Sequence, residues 1–376
     1  MINVRWPTLR ARFSPSGEGR FFHRFPIGKE NQGSANVRIN GLDSIRFVLA
    51  CWVAVGHIGL FPLFQGIDPA TRLGWLLKGL YEATVNGPAA VIVFFVISGF
   101  CIHFPFRNGD FPRLARYYPR RYFRILAPLT AAISFNALLK VNMPLLGRSI
   151  LWSIVCEEIY YLIYPGLLLL RRALGWRPLL IAAFILGGWV AWTDPAAGDY
   201  PSYGWRLNWL LGLPCWLLGC ILAERSDSLQ SSVSARSIWA WRFAIWFASC
   251  VSLGLRFHSS IGFPHTLNWF AILAYFWLER EIAYFRKAQP NPPLQWAGQW
   301  SYSLYLMHVA ANVIFIRAAI PNFGFIVNWS LRFGWVLVVS YVFYLIVEKP
   351  SHSFARSLGR GRHTKKVDHS LDRLAA

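Results

Sequence analysis

The chain has 376 residues, 55% of them apolar and only 15% charged, with a mean hydropathy of +0.36. Soluble domains carry roughly 25% charged residues, so the composition excludes an ordinary soluble enzyme, a disordered chain and a collagen-like one. A net charge of +21 would by itself suit nucleic acid, but the basic residues gather at the margins of apolar runs, and the reading is a polytopic membrane protein with no nucleic-acid partner.

In chain order, residues 1–40 form a basic arm (Arg5, Arg10, Arg12, Arg20, Arg24, Lys29 and Arg38) without an apolar run long enough for a signal-peptide core. A spanning helix needs about 20 mostly apolar residues. Such stretches are expected at 43–63, 85–106, 124–143, 150–170, 178–193, 207–223, 242–257, 264–280, 299–320 and 330–348. A second basic tail, 351–376, follows the membrane domain of 41–350. Residues 107–124, with six Arg, and the two terminal stretches hold 20 of the 38 basic residues when Lys349 is counted with the tail. Lys and Arg beside membrane helices stay on the cytoplasmic side. The expectation is therefore an all-α transmembrane bundle of about ten spans with both termini cytoplasmic. The six cysteines fall mostly within spans, show no CxxC pair and read as buried free thiols.

Ionisable residues within a bilayer tend to face a partner or a watery cavity. In the first span, Arg46 and His57 are eleven residues apart, almost three full turns, so both lie on one stripe about 16 Å apart along the axis. A snorkelling Arg and a packed His is the plainer alternative. In the fourth span, Glu157 and Glu158 point about 100° apart. Glu157 is expected at the depth of His57, where it would favour the imidazolium, unless the carboxylates serve a structural ion pair. Arg121 and Arg124 share a helical face at i,i+3 before the third span and suit bidentate phosphate binding, or only anchor the loop. Tyr302, Tyr305 and His308 are spaced for one polar face, or for an interfacial aromatic belt with one packed His. His103, His258 and His265 lack acidic or Cys company at ligand spacing, so no metal site is expected. Glu348, next to Lys349 and Pro350, reads as a helix stop.

Six pieces in order then resemble the acyltransferase-3 family of integral membrane acyltransferases over about 41–352. They are the Arg46–x10–His57 pattern, FFVISGFCI (94–102), RRYFRI (120–125), LWSIVCEEIYYLIYP (151–165), SYSLYLMH (301–308) and VEKP (347–350). The resemblance implies a multi-pass enzyme of the cytoplasmic (inner) membrane that moves an acyl group, often acetyl, from cytoplasmic acyl-CoA to a hydroxyl of a glycan or glycolipid. It implies no bound cofactor, acyl-CoA being a substrate, and polysaccharide-assembly proteins as partners beside membrane lipid. On that reading Arg121 and Arg124 hold the CoA phosphates, Arg46 stands further along the path, His57 is the general base and Glu157 orients it. Tyr305 or Ser98 donates to the developing oxyanion, and Trp152, Glu158 and His308 complete the substrate-binding set. The competing reading is a proton-coupled carrier of lipid-linked sugars or small solutes.

Overall fold

The computed structural model describes residues 39–64, 66–68, 70–141, 149–229 and 233–360. The expected basic arm, up to residue 38, and the tail from residue 361 lie outside the described residues. Among the described residues there are helices and connecting turns and no strand.

Helix α1 (Leu42–Ile58) starts from Gly41, whose φ of +87° favours glycine and where a Cβ would run into the Phe285 ring. Helices α2 (Arg72–Ala83) and α3 (Gly87–His103) follow. The Asn86 side chain caps α3 by accepting from Ala89 N at 3.0 Å and also donates to Ser249 O at 2.9 Å. Next come α4 (Leu114–Arg121), α5 (Ala127–Leu138), α6 (Trp152–Leu174), α7 (Trp176–Thr193) and α8 (Gly204–Arg225). The remaining helices are α9 (Ala235–His258), α10 (Phe263–Tyr284), α11 (Pro292–Ala297), α12 (Ser301–Arg317), α13 (Phe325–Phe343) and α14 (Lys349–Arg360).

The centre of the bundle is α8, which buries Leu211, Cys215, Trp216, Leu217 and Cys220 almost completely. It is pressed against α3 so closely that a Cβ on Gly99 would sit 2.0 Å from Trp216 O, and one on Gly219 would sit 2.0 Å from Val96 O. Small residues that bring two backbones together are how helices associate where lipid supplies no hydrophobic drive.

A helix stands on each of the ten expected apolar segments. Among the described residues, six helical stretches are long and apolar enough to cross a membrane: Arg72–Phe106, Trp152–Leu174, Trp176–Thr193, Tyr200–Ser228, Ala235–His258 and Phe325–Leu358. Two features differ from the sequence reading. Helix α2 lies between the first two expected spans, where its twelve residues and mixed charges (Lys78, Glu82) fall short of a span; its Leu73, Leu76 and Leu80 form an exposed apolar stripe. The last helix also does not stop at Lys349–Pro350. It passes through a π-turn, Tyr344–Glu348, and continues as α14.

A second π-turn, Tyr122–Leu126, joins α4 to α5. Its cause is local. Pro128 has no N–H to offer Arg124 O, four residues back, or Phe123 O, five back. Side chains from far along the sequence take those carbonyls: Ser351 Oγ donates to Phe123 O, and His352 Nε2 donates to Arg124 O at 3.1 Å. Tyr302 OH donates to the next carbonyl, Ile125 O, at 3.1 Å. Pro165 acts likewise in α6, freeing Tyr161 O to accept from Tyr117 OH at 3.1 Å and so tying α4 to α6. The Tyr117 phenol is buried by this contact, and burial pushes its pKa upward.

Candidate active site

Two polar centres lie along α1, one around each of its expected residues. At the end that carries Arg46, five structural elements bring charges together. Arg46 pairs with Asp43 at 3.8 Å and lies within electrostatic reach of Glu157 and Glu348. Arg124, on the π-turn, feels Arg121 and Arg46, and the Cys101 thiol on α3 stands within reach of all three arginines. Arg121 lies over the rings of Tyr117 and Tyr161, 5.7 and 5.5 Å from their centroids. Among the described residues no carboxylate stands within ion-pair distance of Arg121 or Arg124, so both guanidinium forks keep donors for an anion.

Glu157 belongs to this arginine end, which corrects the expected pairing with His57. It accepts a hydrogen bond from Tyr161, one turn on in α6. Ser98 Oγ is 2.8 Å from Tyr161 OH, and Trp216 Nε1 donates to Ser98 Oγ at 3.3 Å. With the Tyr161 proton committed to the carboxylate, the donors run Trp216 to Ser98 to Tyr161 to Glu157. Ser98 is thus held inside the α3–α6–α8 packing rather than beside His57. Glu158 points elsewhere, with Arg121 as its charged neighbour and Oε1 buried without a hydrogen bond.

Glu348 is not a helix stop. It is 1% exposed and accepts from both N and Oγ of Ser303 on α12, with His352 Nε2 at 3.7 Å. His103, without an acidic residue at ligand spacing in the sequence, meets Glu224 across 121 residues of chain. Its Nε2 donates to Glu224 Oε1 at 3.0 Å, its Nδ1 accepts from Tyr164 OH at 2.9 Å, and Arg171 and Trp176 close on the same carboxylate.

At the other end of α1, His57 is exposed to a cavity of about 440 Å³, within the ~300–1,000 Å³ usual for small-molecule sites. The start of α3 (Gly87, Pro88), the turn before α6 (Ser149, Ile150) and its first residue Trp152, the segment Asp199–Ser202, Phe263 and Tyr305 form its wall. Trp152 stacks on Tyr200 with centroids 5.3 Å apart and planes at 27°, giving the wall a flat aromatic face. Asp199, which sequence reasoning passed over, is held by Arg256 at 3.1 and 3.3 Å. None of Arg46, Arg121 and Arg124 lines this cavity.

His57 Nδ1 lies 2.8 Å from Val53 O. A carbonyl only accepts, so Nδ1 carries the proton and Nε2 keeps its lone pair for the cavity. Tyr305 OH donates to Ile150 O at 2.7 Å and is 2.7 Å from Ser153 Oγ, which donates to it. Of the two expected oxyanion donors, only Tyr305 reaches the cavity. His308 packs against His57, ring centroids 4.9 Å apart.

Residues 39–345 match the family described as an acyltransferase domain. The chain belongs to the acyltransferase-3 family. It is also similar to the acyltransferase MdmB of Streptomyces mycarofaciens, 24% identical over 378 residues that span 87% of this chain and 94% of the relative. No solved structure matches the chain. The protein is thus a multi-pass membrane acyltransferase, and the carrier reading is set aside: the family's chemistry is group transfer.

Proposed function

We propose that the protein moves an acyl group, acetyl in the first instance, from a cytoplasmic acyl-CoA to a hydroxyl of a glycan or glycolipid at the outer face of the inner membrane. The observation that carries this reading is the placement of His57, whose Nε2 borders an open cavity, while Arg46, three turns back on α1, stands near Arg121 and Arg124, which among the described residues have no carboxylate at ion-pair distance. Arg121 and Arg124 hold the CoA phosphates, Arg46 meets the donor further along the path, and the pantetheine arm follows α1 toward His57. His57 Nε2 takes the acceptor hydroxyl's proton as the oxygen attacks the thioester carbonyl. The C–S bond then breaks, and the departing thiolate recovers the proton from His57. Tyr305 is the donor placed to reach the oxyanion, once its hydrogen bond to Ile150 O is exchanged.

The same reading makes 41–350 one membrane domain of ten crossings, with the basic arm and tail in the cytoplasm and polysaccharide-assembly proteins as neighbours. Trp152 and the loop at 199–202 then face the acceptor. The test is label transfer from radioactive acetyl-CoA to glycan in membranes of the source cells expressing the protein. His57→Ala should reduce transfer by about 10²–10⁴-fold; full activity in folded variant protein ends the assignment.

A further inference from the structure

A general base that becomes an imidazolium is ordinarily steadied by a carboxylate on its far nitrogen. Here that nitrogen, Nδ1, is spent on Val53 O, and Glu157 is bonded to Tyr161 at the arginine end. Asp199, the acid on the cavity wall, is held by Arg256. The ring that packs against His57 is that of His308, from α12, with centroids 4.9 Å apart.

His308 is fully buried and its Nδ1 is 2.8 Å from Tyr305 O and 3.3 Å from Leu304 O. Both are carbonyls, so Nδ1 holds the proton. Its Nε2 is then a bare lone pair, buried and without a hydrogen-bond partner. Leaving such an acceptor unsatisfied costs about 1–3 kcal/mol, and a buried polar group left so calls for an explanation, of which a catalytic role is one. Two neutral rings, each with its proton on Nδ1, offer each other no N–H. Once His57 takes a proton on Nε2 it has one to give, and because the two rings are in contact but not hydrogen-bonded, giving it requires the imidazolium to turn from the cavity toward α12.

We propose that His308 is the positioning residue of the reaction: its buried Nε2 accepts from His57 Nε2–H after the acceptor's proton has moved there, and so holds the imidazolium until the thiolate collects the proton. No net proton is gained or lost. The hydroxyl proton passes to His57, is shared toward His308 while the O–C bond forms and the C–S bond breaks, and leaves with CoA. The inference rests on His57 as the base.

The experiment compares His308→Phe, which keeps a flat ring without a lone pair, with His308→Gln, which keeps an acceptor oxygen. Both are assayed by label transfer from acetyl-CoA in native membranes, beside His57→Ala. His308→Phe should lower the maximal rate about 10–100-fold with the KM for acetyl-CoA unchanged, and His308→Gln should recover most of it. Thermal unfolding in nanodiscs checks the fold of each, and if His308→Phe is unfolded the comparison of His308→Gln with His308→Ala carries the test in the same way. Equal loss in the variants with and without an acceptor, or a change confined to KM, overturns the positioning role. Full activity of His57→Ala sinks the base assignment instead, so the two failures are told apart.

Discussion

His352 Nε2 donates to the backbone carbonyl of Arg124 at 3.1 Å, across 228 residues of sequence. With Ser351 on Phe123 O, it makes α14 a clasp on the π-turn that presents Arg124. A net hydrogen bond contributes about 0.5–1.5 kcal/mol. Ser351→Ala with His352→Ala should therefore raise the KM for acetyl-CoA about tenfold and leave the maximal rate nearly unchanged. Steady-state label transfer over a range of acetyl-CoA concentrations reads both quantities.

The unpaired forks of Arg121 and Arg124 make a sharper forecast for binding. Arg121→Ala with Arg124→Ala should weaken CoA about 100-fold or more, as expected for loss of two charge-assisted contacts of about 1.5–3 kcal/mol each. Dephospho-CoA, which lacks the 3′-phosphate, should lose less when those arginines are absent than when they are present. Calorimetric titration on protein in nanodiscs measures each affinity, and unchanged affinity returns the cluster to membrane anchoring.

Because Glu157 is bonded to Tyr161 and not to His57, Glu157→Gln should behave like Tyr161→Phe. Both should act on the acetyl-CoA KM, and the double variant should fall short of the sum of the two singles, as neighbours in one network do. A loss of maximal rate as large as that of His57→Ala, with KM intact, would restore the carboxylate to the imidazole.

On the proposed reading, the aromatic wall formed by Trp152 on Tyr200 meets the acceptor and can be tested apart from the arginines. Trp152→Ala should lower label transfer at limiting glycan by about tenfold, in line with an aromatic contact of ~0.5–1.5 kcal/mol plus its lost area. Acetyl-CoA binding by calorimetry should be unaffected.

The α3–α8 contact predicts a stability difference between glycines. Gly99→Ala and Gly219→Ala put a methyl group 2.0 Å from a backbone oxygen, and overpacking of this kind typically costs about 1–3 kcal/mol. Gly79→Ala and Gly254→Ala meet nothing within 4 Å and should leave the melting temperature in detergent unchanged.

Much of this arrangement is legible in the chain itself. The apolar runs place the helices, and the eleven-residue spacing sets Arg46 and His57 at opposite ends of one helix. The partners of these residues are another matter, since they depend on how helices rotate against each other. Glu157 and Tyr161 are one turn apart, so that bond could be read from spacing alone, whereas the pairing of His57 with His308 needs α1 and α12 in register. His103 with Glu224 and Glu348 with Ser303 are likewise contacts between elements distant in sequence. The prolines were the under-read signal. Pro128 and Pro165 each announce a carbonyl without its helical donor, and in both cases a side chain from another helix claims it.

The clasp of α14 also bears on how the enzyme is made. A ribosome delivers Arg46, Arg121 and Arg124 within the first third of the chain, but Ser351 and His352, on α14, emerge only after the thirteen helices before it have been made. Until then the turn beneath Arg124 carries two open carbonyls, and a nascent chain arrested before residue 351 would hold all three arginines without the side chains that fix the turn bearing Arg124.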